Sequence, residues 1–161
     1  MAGLGLIRPV AVLAILGCFH WGAALAADAS AEVNIRTTKT PFQDVLTDVE
    51  AAIVNQGLVI DLKGNIGGML DRTAKDLGGK PIYAQAQYFS FCSARLSRAM
   101  LEADPANMGF CPFVVFVYER ADQPGTTTVG YRRPPAGSGA ATAAFAAIDK
   151  LLAGVIAEAT K

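Results

Sequence analysis

Two cysteines flank one predicted helix in the stretch "FSFCSARLSRAMLEADPANMGFCPFVVFVYER", Cys92 after an aromatic run and Cys111 before another. Thiols so placed can do three kinds of chemistry. They can close a structural disulfide, for which the chain-entropy gain over a loop of about 20 residues is roughly 3 kcal/mol less any strain. They can form a thiol-redox pair: a helix start with Arg95 and Arg98 nearby favours a thiolate, whereas the flanking Phe89, Phe91, Phe110 and Phe113 oppose one, and no C-x-x-C spacing is present. Or Cys92, Cys111, Met100 and Met108 can offer soft sulfur ligands to copper or haem iron, although methionine at helical spacing is ordinarily core filling.

The remaining candidates are polar. Arg132 and Arg133 in "YRRPP" place two guanidiniums at a strand end, where they could grip a carboxylate, sulfate or phosphate, with Arg95 a third anion contact. Asp44 and Asp48, at i and i+4, lie off the apolar face of their helix and read as a solvated pair. "GNIGG" and "GGKP" lack the Lys-Ser/Thr of a phosphate loop and read as turns.

What can position these groups depends first on an expected export signal. Residues 1–26 combine a short basic start, an apolar run and the A-x-A site Ala24-Leu25-Ala26, so cleavage is expected after Ala26, with release into the periplasm. Cys18, His20 and Trp21 would leave with the leader, and 135 of the 161 residues would remain, with 13 basic and 14 acidic side chains. A near-neutral exported chain has no field to attract nucleic acid. Without histidine it lacks Ser-His-Asp and Cys-His nucleophile pairs and histidine-containing zinc sites. No catalytic residue is assigned, and no membrane span is expected after cleavage.

The order of elements follows from patterning. Residues 27–31 form a small-residue tail, expected to be mobile. "EVNIRTTK" alternates as a strand; Thr40-Pro41-Phe42-Gln43 then carries a capping signature, and Phe42, Val45, Leu46, Val49 and Ile53 form a helical stripe. "LVIDL" reads as a buried strand, "KGNIGG" as the entry to a short helix, and Ile82–Cys92 as a long strand. Ser93 caps a helix to Ala103 that Asp104-Pro105 stops. Cys111–Arg120 is a continuous apolar strand expected at the centre, and Thr126–Arg133 returns beside it. Residues 135–139 are a linker. Residues 140–161 form an Ala-rich helix, capped by Ser138, that packs on the domain at residues 32–134 or on a second protomer. The order β-α-β-(α)-β-α-β-β-α implies a single α+β domain with helices on one face of a mostly antiparallel sheet.

Taken together, Phe91-Cys92-Ser93, Ala103-Asp104-Pro105, Cys111-Pro112 and Val117-Tyr118-Glu119, followed by "GYRRP", resemble the DUF302 family of bacterial domains of unknown function. The amphipathic first helix and "GLVIDLKGNI" resemble its opening half, so the likeness spans Val33 to Pro134. It implies a curved antiparallel sheet backed by helices, often in a homodimer, and no established catalytic residues; the two cysteines mark a subgroup. The resulting expectation is a non-enzymatic periplasmic domain without cofactor, stapled by Cys92 and Cys111, that binds a small ligand or a periplasmic protein. Its alternative is a thiol-redox or copper- or haem-binding protein using the same sulfurs.

Overall fold

A computed structural model describes Met1 and residues 32–161. The expected leader, its cleavage site and the tail lie outside the described residues. Among the described residues, five strands and four helices follow in the order β1 (Val33–Thr38), α1 (Phe42–Asn55), β2 (Ile60–Asn65), α2 (Ile66–Leu77), β3 (Tyr83–Phe91), α3 (Ala94–Ala103), β4 (Phe113–Arg120), β5 (Thr127–Arg132) and α4 (Ala141–Glu158). A 3₁₀ segment, Pro105–Phe110, joins α3 to β4. The class is α+β, and the order of elements is the one the patterning gave.

All strand pairs are antiparallel, in the spatial order β1-β5-β4-β3-β2. β4 is therefore central, as its unbroken apolar run implies. The curved sheet expected from the family resemblance is corrected to an open one, with β1 and β2 as its edges among the described residues. The physical reason lies in the registers. Bulges bend sheets, and the register shifts fall only between Ile60 and Leu62 and between Tyr83 and Gln85, while β1–β5 and β5–β4 run without interruption.

The period-2 alternation of the strands sends Phe89, Phe91, Phe113, Val115, Val117, Val129 and Tyr131 to one face, where all are buried. That face receives the stripes of α1 (Val45, Val49, Ile53) and α4 (Phe145, Ile148, Leu152, Val155), with Leu96 and Met100 of α3 completing the core. α4 is tied to the sheet by a polar latch as well. The buried Tyr131 hydroxyl donates to Asp149 Oδ1 at 2.8 Å and accepts from Asn34 Nδ2 at 3.0 Å. Burial, then the bond to Asp149, pushes the phenol above its ordinary pKa.

Three local expectations are corrected. Thr40 does not cap α1: the helix begins at Phe42 with no side-chain cap, and the Thr40 hydroxyl pairs with that of Thr38 at 2.9 Å. Ser138 gives α4 a carbonyl, accepting from Ala141 N at 3.1 Å, and no side-chain cap. β2 begins at Ile60 and is an exposed edge, because among the described residues no strand lies beyond it. By contrast, Ser93 caps α3 through Leu96 N, and the Asn65 side chain caps α2 through Gly68 N at 2.7 Å. α2 takes over where β2 stops and packs beside β3, with Gly67 so close that a Cβ there would meet Ala86 N at 3.0 Å.

Candidate functional site

The cysteines are placed by the ends of β3 and β4. Phe91 and Phe113 are register partners, and their buried rings meet edge to face with centroids 6.2 Å apart. Cys92, one residue beyond Phe91, and Cys111, two before Phe113, are joined as a disulfide with their Cα atoms 6.6 Å apart. Both are half-buried, and Ser97 Oγ lies 3.6 Å from Cys111 Sγ. The bridge fastens the start of α3 to the entry of β4 and sits over the aromatic core.

The other sequence candidates do not converge on it. Met100 is wholly buried in the core and Met108 is 61% exposed on the 3₁₀ segment, so the two face opposite environments. Among the described residues, no group of three or more His, Cys, Asp and Glu side chains stands together as a metal site. Arg95 is exposed on the first turn of α3. Arg132 and Arg133 share a cleft with Phe110 and Pro134, and the Arg133 N–H donates to Glu32 O at 2.8 Å.

What the sequence reading did not find is the second face of the sheet. Among the described residues, α1, α3 and α4 cover one face, and only the start of α2, at Ile66, borders the other, so most of that second face is left open. An uncovered antiparallel face is ordinarily polar. Here it carries Tyr88 on β3, Phe116 and Tyr118 on β4, Ile35 on β1 and Tyr83 near the start of β3. The apolar floor is continuous across strands because of two glycines. Gly64 of β2 is the register partner of Tyr88, whose ring fills the space where a Cβ would stand. Gly130 of β5 is the partner of Phe116, and a Cβ there would lie 2.6 Å from Asn34 O, 2.7 Å from Ile35 Cγ2 and 2.8 Å from Phe116 Cζ. One row thus crosses all five strands: Gly64, Tyr88, Phe116, Gly130, Ile35. The ring of Phe116 stacks near that of Tyr118 (centroids 6.1 Å, planes 18° apart), and Tyr118 meets Tyr83 at 5.2 Å.

These rings, with Ile35 and Ile66, line an open cavity of ≈ 430 Å³. The volume lies in the range of small-molecule sites, which combine an apolar lining with a few polar groups. The phenols of Tyr83, Tyr88 and Tyr118 can supply those groups. The signal for this face was present in "FVVFVYER", apolar on both alternating sides, and in the two glycines inside strands. Reading it required knowing that, among the described residues, α1, α3 and α4 all lie on the other side.

An open five-stranded antiparallel sheet, three helices on one face and a disulfide at the β3–β4 end define an α+β domain with a free aromatic surface. The chain belongs to the DUF302 family, described as a domain of unknown function, whose model matches residues 33–159. The match runs beyond Pro134 and takes in α4. The crystal structure of an uncharacterized conserved DUF302 protein from Bacillus stearothermophilus superimposes with a TM-score of 0.66 at 17% identity, covering 79% of this chain and 97% of that one. At that identity the likeness concerns the fold. No curated protein matches the chain.

Proposed function

We propose that this chain is an exported, non-enzymatic binding domain whose working surface is the uncovered face of its sheet, where a small apolar molecule lies across Tyr88, Phe116 and Tyr118. The observation that carries the reading is the row Gly64–Tyr88–Phe116–Gly130–Ile35. Contiguous apolar surface in reach of solvent marks interaction sites, and glycine inside a strand weakens it; here the exposed Ile35, the half-buried Tyr88 and Phe116 and the two glycines join to make one continuous platform. The A-x-A leader and the disulfide favour export to an oxidising compartment. In this reading the disulfide is a staple, remote in role from binding.

The test uses N-phenyl-1-naphthylamine, a neutral aryl probe whose fluorescence rises in apolar surroundings. The wild-type chain is expected to bind it in the micromolar range, and Phe116→Ala to weaken binding by up to about tenfold, as loss of an aromatic stacking partner does. Ile35→Asp, at a position 49% exposed and thus tolerant of charge, is expected to weaken it as well. Binding that neither substitution alters would overturn the reading.

A further inference from the structure

The open face is not uniformly apolar. Strand alternation fixes which residues form the row next to the aromatic one. Tyr131 points to the helices, so its neighbour Arg132 points to the open face. Val33 is the register partner of Arg132, and the Val115–Tyr131 pairing sets Val114 on its other side. Val33 and Val114 both line the aromatic cavity. Arg132 itself lines the neighbouring cleft with Glu32, Phe110 and Arg133; by register it stands between these two cavity residues, one row from Phe116, which is about 7 Å along the strands.

The charge there is unspent. Arg132 is exposed and takes part in none of the salt bridges among the described residues, which are Lys63–Glu50, Arg98–Glu102 and Arg120–Asp122. Glu32 shares a cleft with Arg132 and Arg133 and pairs with neither, leaving two guanidiniums to one carboxylate at this end of the sheet. At the opposite end of the cavity, beside Tyr83 and Tyr118, the guanidinium of Arg120 is already engaged by Asp122 at 2.7 Å. A guanidinium has the fork geometry that carboxylates and sulfonates accept.

We infer that the occupant of the open face is a free amphipathic anion, with its carboxylate or sulfonate head on Arg132 and its apolar body over Phe116 and Tyr88. The inference rests on the open face being the binding face, and it adds the ligand's charge and orientation. The length follows from the rows: a head at Arg132 and a body reaching Tyr118 span about 13 Å, two row spacings.

Two probes that share an aryl skeleton separate this inference from the reading beneath it. 8-Anilinonaphthalene-1-sulfonate carries the anion, and N-phenyl-1-naphthylamine does not. Arg132→Gln is expected to weaken the sulfonate about tenfold, the loss of one charged hydrogen-bond pair, while leaving the neutral probe unchanged. Arg95→Gln, which removes the same charge elsewhere, is expected to leave both unchanged. If Arg132→Gln leaves the sulfonate unchanged while Phe116→Ala weakens both probes, the anion assignment is overturned and the binding face stands. If Phe116→Ala and Ile35→Asp affect neither probe, both fall together. Two further outcomes would overturn the free-ligand assignment. One is co-sedimentation with phosphatidylglycerol vesicles that Arg132→Gln abolishes, in a chain that binds neither probe. The other is a dimer that Ile35→Asp splits.

Discussion

The Tyr88 ring lies over Gly64 of the neighbouring strand, in the volume a side chain at that position would need. The same relation recurs two strands away between Phe116 and Gly130. In each pair the glycine shields its own exposed backbone with a partner's ring, and the ring gains a flat seat. The platform on the open face is thus encoded by four residues on four strands.

The two glycines are expected to differ in tolerance. At Gly130 an added side chain meets backbone, Asn34 O, which cannot swing aside. Gly130→Val is expected to cost a few kcal/mol, in the upper part of the range for overpacking, read as a lower denaturation midpoint in urea. At Gly64 the obstruction is only the Tyr88 ring. Gly64→Ala is expected to cost about 1 kcal/mol or less, and to displace that ring enough to weaken the neutral probe.

The elements were legible in the sequence where their signals are local. Ser93 before a helical stripe and Asp104-Pro105 after it bound α3 correctly, and the continuous apolar run of β4 placed it at the centre. The Thr40-Pro41-Phe42-Gln43 signature misled, because a side-chain cap depends on rotamers that a partner can capture, and Thr38 captured Thr40. The open face was not legible for a different reason. Whether the second side of an apolar strand is buried or open is decided by which helices cross over it, and all three covering helices chose the same side.

Replacing both Cys92 and Cys111 with Ser is expected to lower stability by about 3 kcal/mol at most, and to leave the affinity for both aryl probes unchanged. The bridge lies at the β3–β4 end over Phe91 and Phe113, residues of the helix-side face. Chemical denaturation paired with probe titration reads both effects. Lost binding with an unchanged midpoint would instead assign the sulfurs to thiol or metal chemistry.

The Tyr131–Asp149 latch gives a pH dependence of definite sign. The folded state raises the phenol pKa, chiefly through burial and then through the bond to Asp149, so the folded chain holds this proton more tightly than the unfolded one. The corresponding stability is fully present below the ordinary phenol value of about 10 and is lost as pH rises through the higher folded value. Thermal melts from pH 8 to 11.5 are expected to fall less steeply at the alkaline end for Tyr131→Phe than for the wild type. Parallel curves would show that the latch does not couple to the proton.

The apolar stripe of α4 includes Leu152, buried in the same cluster as Ile53 and Met100. Leu152→Asp places a charge there without a partner and is expected to destabilise by more than 3 kcal/mol, or to yield aggregated protein. Circular dichroism and size-exclusion chromatography check this. A soluble variant of unchanged midpoint would mean that α4 contributes little to the fold.

The central claim is that the uncovered sheet face is the surface that binds, and backbone amide shifts measure it most directly. In a ¹⁵N-labelled chain saturated with 8-anilinonaphthalene-1-sulfonate, the largest perturbations are expected at Ile35, Tyr88, Phe116, Tyr118 and Arg132, with α1 and α4 unmoved. Perturbations centred on Cys92 and Cys111, or on the helices, with the Tyr88–Phe116 row silent, would contradict it.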